Sequence, residues 1–150
     1  SPVEHDGDTQ YSDDEAERVV AIFNELLGRE YTNRDGKARE LELGDFLFIT
    51  PYNAQVVHLT KLLPEGARIG SVDRLQGQQA PVCILSLCSS VGEYGSRGLS
   101  FILDRNRVNV AISRAQCLAV VVADPRIAHD PAGSIKEMRL LSLFCKLNRY

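Results

Sequence analysis

Apolar positions recur along the chain at helical spacing in some stretches and as unbroken runs in others. Behind Ser12-Asp13-Asp14-Glu15, the residues Val19, Val20, Ile22, Phe23, Leu26 and Leu27 follow the helical period, so a helix is expected from Ser12 to a stop at Gly28. Ser12 and Glu15 have the spacing of a capping box, with Ser12 as the cap and Glu15 reaching back to it. Glu30 to Gly44 is charged, contains the turn dipeptide Asp35-Gly36, and reads as a surface excursion. Phe46-Leu47-Phe48-Ile49 is a short apolar run suited to a parallel strand buried on both faces. Thr50 then caps, and Pro51 opens, a second helix with Val56, Leu59, Leu62 and Leu63 on its apolar side; Pro64 and Gly66 end it.

Arg68 to Val72 and Val82 to Leu87 read as further strands, and Ser89 to Ser100, with three glycines, as a loop. Asp104 to Ser113 is expected to be helical. Cys117 to Ala123 leaves no polar face and predicts a strand covered on both sides. After the turn Asp124-Pro125, a second capping box, Ser134-Ile135-Lys136-Glu137, opens a last helix with Met138, Leu141, Leu143 or Phe144, and Leu147 inward. Apolar strands alternating with helices imply an α/β architecture around a mainly parallel sheet. The 150 residues show no repeat, low-complexity run or linker, so residues 1–150 read as one domain.

Composition narrows the class. Hydrophobic residues make up 44% and charged ones 25%, the balance of a globular domain with a core. No run of about 18 apolar residues encodes a membrane span, and the acidic, polar first residues do not resemble a secretory signal. Cys83, Cys88, Cys117 and Cys145 form no C-x-x-C pair and lie in or beside apolar runs, so they read as buried free thiols of a reducing cytosol. His5, His58 and His129 lack ligand spacing, so no metal site is expected. The net charge of −3 argues against a basic nucleic-acid wrapper, but the charge is unevenly placed. Acidic residues crowd the stretch to Asp45, whereas Arg68, Arg74, Arg97, Arg105, Arg107 and Arg114 follow with no lysine among them. Arginine suits planar, bidentate phosphate contacts; a solvated surface explains the composition equally well.

Ligands of open parallel sheets bind beyond the carboxyl ends of the strands. Three polar clusters are expected there: Thr50-Pro51-Tyr52-Asn53-Ala54-Gln55; Ser71-Val72-Asp73-Arg74-Leu75-Gln76-Gly77-Gln78-Gln79; and Asn106 to Ala115. Arg107 and Arg114 lie seven residues apart, about two helical turns, and so project from nearly one face. That pair suits an anion in the crevice; on spacing alone, surface ion pairs suit it as well.

Together the clusters are specific. ITPYNAQV resembles helicase motif IV of superfamily 1, SVDRLQGQQAPVCILS resembles motif V, and NRVNVAISRA resembles motif VI, in the order and separation of that family. The resemblance is to the 5′-to-3′ branch of RNA-surveillance helicases and Okazaki-fragment nuclease-helicases. It is closest to bacterial helicases joined to a RecB-like nuclease, on DGKARELELGDFLFITPYNAQV and RGLSFILDRNRVNVAISRA. It spans about residues 3 to 147.

This resemblance implies a three-layer, RecA-like fold of the P-loop NTPase type without the P-loop itself. No Gly-Lys-Ser or Gly-Lys-Thr occurs, and Gly36-Lys37 runs into Ala38. ATP and Mg²⁺ would then be held mainly by an N-terminal RecA-like domain of the same, longer chain, and a fragment beginning at Ser1 would be inactive alone. By resemblance Arg114 is the arginine finger, with Gln76, Gly77, Gln79 and Arg107 facing the nucleotide. Thr50, Pro51, Tyr52, Asn53, Ser71, Val72 and Asp73 would lie along a single strand of nucleic acid, DNA favoured. A RecB-like nuclease domain is a further implied partner. The family's Q-G-x-E has Gln79 in its last place, which keeps a hydrogen bond but brings no charge. That departure keeps open an alternative: a degenerate module that binds nucleic acid or protein without hydrolysis.

Overall fold

The computed structural model describes residues 11–75, 77–88 and 105–124, with Met138 and Ser142. The loop expected at Ser89–Ser100, Gln76, Cys145 and all of the last helix but Met138 and Ser142 lie outside the described residues; Met138 is helical, but at 61% exposed it does not point inward as expected. Helix α1 (Asp13–Leu26) starts at extended Ser12, whose hydroxyl accepts from Glu15 N at 3.1 Å. The return half of the expected capping box is not made. Ser12 N donates instead to Gln55 Oε1 at 3.0 Å, and Glu15 turns into the interior. The reason is phase: Glu15 sits one turn ahead of Val19 on the buried stripe Ala16, Val19, Ile22 and Phe23.

Gly28, at φ +76, lets the chain leave the helix. The charged excursion that follows is an ordered antiparallel hairpin, β1 (Glu30–Thr32) with β2 (Ala38–Glu40). Asn33 Oδ1 organises its turn by accepting from Asp35 N at 3.0 Å and Lys37 N at 2.9 Å. Arg39 then grips the short 3₁₀ turn Leu43–Asp45, donating from Nη1 to Asp45 Oδ2 at 2.6 Å and from Nη2 to Oδ1 at 2.5 Å. Asp45 also accepts from Glu42 N at 2.8 Å.

That turn delivers β3 (Phe46–Ile49), followed by α2 (Asn53–Leu62), β4 (Arg68–Gly70), β5 (Ala80–Ser86), α3 (Arg105–Ser113) and β6 (Ala115–Val122). The four strands from β3 onward form one parallel sheet in the order β4-β3-β5-β6. Helix α2 starts at Asn53 with Tyr52 in the cap position, later than the expected Thr50-Pro51 start. Thr50 still belongs to the sheet: its N–H donates to Gly70 O at 3.2 Å, prolonging the β3–β4 pairing, and the helix starts three residues later. The inward stripe of α2 is Gln55, Leu59 and Leu63, whereas Leu62 is 44% exposed.

Residues alternate between the two faces of each strand, so each run feeds two cores. Phe46, Phe48, Val82, Ile84 and Val122 meet α1 and α2 on one face. Phe23 stands edge-on to Phe46, with centroids 4.9 Å apart, and to Phe48 at 5.8 Å. Burial of each such ring contributes about 1.5–3 kcal/mol. Leu47, Ile49, Cys83 and Leu85 meet Ala111 of α3, Tyr52 and Leu75 on the other face. The three-layer α/β expectation therefore holds. Strand β6 departs from its expected double burial: Gln116 to Ala119 are exposed, so Cys117 is an exposed thiol, not a buried one. It is the outermost strand of the described order, and the cores reach it at its first residue, Ala115, and toward its end, at Val120, Val121 and Val122. Among the described residues no helix is long and apolar enough to cross a membrane.

The Arg39 guanidinium, followed by the Glu42 amide, holds the Asp45 carboxyl below its ordinary 3.8, against an opposing push from burial. A depressed folded value adds stability above 3.8 that is lost as pH falls through the folded value. Asp45→Asn should therefore destabilise the fold at neutral pH. The loss should be on the order of 1 kcal/mol, because the Arg39 end of the pair is open to water. In urea titrations across pH, the gap between wild type and variant should close below about 3.8.

Candidate functional site

A parallel sheet has two chemically different edges, and the predicted site residues divide between them. The clusters expected together at the carboxyl ends are in fact separated. Thr50 follows β3 and Ser71 follows β4, at the carboxyl edge. Gln79 directly precedes β5 and Arg114 directly precedes β6, so both stand at the amino edge. The segment from Ser71 to Gln79 crosses from one edge to the other, since consecutive parallel strands must both be entered from the same side. Over the length of β5 the edges are about 20 Å apart.

At the amino edge, Arg114 is the only residue between α3 and β6. Its N–H donates to Ala111 O at 3.2 Å, and its carbonyl accepts from Ala80 N at 3.1 Å. Its backbone is thus pinned to both α3 and β5. The side chain is half-buried, its Nε is buried without a hydrogen-bond partner, and no carboxylate pairs with it among the described residues. Beside it, burial pushes the Cys83 thiol up to about 12 against the opposing charge of Arg114. Cys83 accordingly stays a thiol, donating to Ala111 O at 3.4 Å.

Gln79 is exposed, and its carbonyl accepts from Arg68 Nη1 at 3.5 Å. Arg68 Nη2 also donates to Gly44 O at 2.6 Å, so this arginine ties together the entries to β3 and β5. Sequence reasoning counted Arg68 only as charge; its place at the start of β4 was the available signal. Gly77, at φ +81, adopts a conformation that disfavours side chains. Arg107 lies on α3, two turns before Arg114; its side chain, like Gln76, lies outside the description.

At the carboxyl edge, Thr50 is buried, and its hydroxyl accepts from Tyr52 N at 3.5 Å. Tyr52 is a core residue, packed in the cluster with Leu75 and Leu87, and Pro51 is half-buried. Asn53 is exposed in the first turn of α2. Ser71 Oγ accepts from Arg74 N at 3.3 Å, Val72 packs on the core, and Asp73 is exposed.

Beneath these residues lies a buried polar network that sequence reasoning missed. Glu15, fully buried, accepts from Ser86 Oγ at 2.6 Å. Cys88 N donates to both its oxygens, at 3.1 and 3.0 Å. Gln55, also fully buried, accepts from Ser12 N and donates to Ser12 O and Ser86 Oγ, each of the latter at 3.3 Å. Cys88 Sγ lies 3.2 Å from Ser86 Oγ and 3.7 Å from Thr50 Oγ1. Cys88 has φ +50, the sole non-glycine positive value among the described residues. That conformation costs on the order of 1–3 kcal/mol and persists only where its surroundings enforce it. The usable signal was a polar residue inside each apolar stripe: Glu15 four before Val19, and Gln55 four before Leu59.

The chain shares this framework with known proteins. Residues 2–126 match the AAA domain family AAA_12. The chain is 38% identical over 105 residues to the DNA polymerase alpha-associated DNA helicase A of Saccharomyces cerevisiae, covering 67% of this chain and 15% of that protein. The protein of the same name in Schizosaccharomyces pombe is 38% identical over 87 residues, 56% of this chain and 13% of its own length. The DNA-binding protein SMUBP-2 of Mesocricetus auratus is 37% identical over 95 residues, 59% of this chain and 9% of its own length. The chain thus spans a small part of the relatives it matches, and it belongs to the AAA domain family.

Proposed function

We propose that residues 1–150 are the second motor domain of a superfamily 1 helicase or translocase driven by ATP and Mg²⁺. The observation that carries this reading is Arg114: a half-buried cation with a pinned backbone and a buried Nε without a hydrogen-bond partner among the described residues, at the edge that also presents Gln79. The similarity to proteins named helicases, of DNA and of RNA, supports it; DNA is the favoured track in this reading because of the nuclease partner it includes. An orphaned guanidinium N–H fits a phosphate oxygen, which accepts a charge-assisted hydrogen bond. An N-terminal RecA-like domain of the same longer protein would supply the phosphate-binding loop and most contacts to ATP and Mg²⁺. The amino edge described here forms the opposite wall of that cleft, with Gly77, Gln79 and Arg107 beside the finger. Thr50, Pro51, Tyr52, Asn53, Ser71, Val72 and Asp73, at the other edge, line the track of the single strand. Contacts there position the backbone without reading sequence. A RecB-like nuclease domain is a further partner in this reading.

Gln79 favours a second reading, a module that binds nucleic acid or protein without hydrolysis, because it brings no charge where the motif usually has glutamate. Two substitutions in the full-length protein separate the readings. Arg114→Ala should lower nucleic-acid-stimulated ATP turnover by about 10³ while ATP binding stays largely intact; near-normal turnover would remove the finger assignment. Gln79→Glu should raise turnover if the missing charge limits hydrolysis. Unchanged turnover in a hydrolysing parent would show that the glutamine is no handicap. A parent that hydrolyses no ATP under any of these conditions would favour the binding module.

A further inference from the structure

The topology puts a crevice between the carboxyl ends of β3 and β5. These strands are neighbours in the sheet, yet β3 continues through α2 to β4 on one side, and β5 leads to β6 on the other. Chain segments leaving adjacent strands in opposite directions open a gap in which ligands settle. The segments that flank this point are Thr50 to Asn53 after β3 and Leu87-Cys88 after β5; Thr50, Tyr52, Leu87 and Cys88 are buried and form its support, while Asn53 is exposed and Pro51 half-buried. Directly beneath the gap lies Glu15, fully buried and so out of reach of any ligand.

We infer that Glu15 is a positioning residue for the single-strand track, a role that rests on the motor reading above. It acts on both segments. On the β5 side, its two oxygens hold the Cys88 amide in a left-handed conformation that cysteine otherwise avoids. Cys88 Sγ in turn lies against the Thr50 hydroxyl across the gap. On the β3 side, Glu15 accepts the hydrogen bond donated by the Ser86 hydroxyl, which leaves the Ser86 Oγ lone pairs to accept from Gln55 in the first turn of α2. Asn53 is two residues before Gln55 in the same turn, and Tyr52 is its cap. One carboxylate therefore fixes the separation and pitch of both segments. A requirement for burial alone would be met by an apolar side chain on this stripe, next to Ala16 and Val19. It would not require a strained residue at the far end of the hydrogen bonds.

The test uses the full-length protein with single-stranded oligothymidylate and oligouridylate, taking whichever the wild type binds more tightly. Glu15→Gln keeps the shape but places an NH₂ group against the Cys88 N–H. It should weaken oligonucleotide binding about tenfold and raise by a similar factor the oligonucleotide concentration for half-maximal ATPase stimulation. The KM for ATP should stay within twofold. Cys88→Gly makes the left-handed conformation easy without Glu15, so in that background the effect of Glu15→Gln should shrink to threefold or less. A general loss of structure would show no such rescue. If Glu15→Gln does not fold, Ser86→Ala, which removes the Ser86 hydrogen bond to Glu15, should weaken oligonucleotide binding about threefold. Oligonucleotide affinity within twofold of wild type in the folded variant overturns the inference, as does an equal rise in the KM for ATP or a full effect in the Cys88→Gly background. These results leave the motor reading standing. A wild-type protein that binds no single strand removes both.

Discussion

A carboxylate placed in a protein interior must find hydrogen-bond donors or be expelled, and much of this domain is arranged around meeting that demand for Glu15. Its donors include Ser86 and Cys88, at the end of β5, more than 70 residues away in sequence. Meeting them fixes the angle of α1 on the sheet. It also commits Ser86 Oγ to accept from Gln55, which commits the Gln55 amide to both backbone groups of Ser12. The first turns of α1 and α2 and the end of the central strand β5 are thereby closed into one circuit. Removing any member strands a buried donor or acceptor, at about 1–3 kcal/mol for each orphaned group. The apolar cores glue the layers together; this circuit sets where their ends stand.

The second constraint is the common direction of the strands. With all four parallel, whatever precedes a strand and whatever follows it are held about 20 Å apart. Arg114 and Gln79 precede strands, whereas Thr50 and Ser71 follow them. A nucleotide bound at one edge and a polymer bound at the other would have no shared ligand. They would communicate only through the rigid strands between them. Strand β5 is the natural strut, fully buried along its length, with Gln79 at its entry and Cys88 just beyond its exit. Under the motor reading, such a body transmits force by moving whole rather than by bending.

Much of this was legible in the sequence, for a physical reason. Runs such as Phe46 to Ile49 and Val82 to Leu87 are apolar on both faces, and only a covered parallel sheet accommodates that. The boundaries that failed were set by distant partners. Thr50 reads locally as a cap, but pairing with Gly70 across the sheet keeps it in the strand and moves the helix start on. Glu15 reads as half of a capping box, but Gln55 takes the group it would have bound. Local pattern cannot weigh a neighbour 43 residues away. The division of the site between two edges is a different kind of miss. The order helix-Arg114-strand was plain, and strand direction alone puts such a residue at the amino edge.

That junction also explains why an arginine there is useful. Its N–H and carbonyl are both bonded, to α3 and to β5, so the Cα from which the side chain springs does not wander. The charge of Arg114 opposes the effect of burial on the nearby Cys83 thiol, which itself donates to Ala111 O. A cation on a loose loop would lose conformational freedom on meeting its anion, and that loss would weaken the contact. Here the backbone is ordered before any anion arrives, while Nε has been taken from water without a replacement partner among the described residues. Such a group gains on binding what it gave up on folding. A preorganised donor of this kind stabilises charge most where charge redistributes during a reaction, because nothing around it has to move.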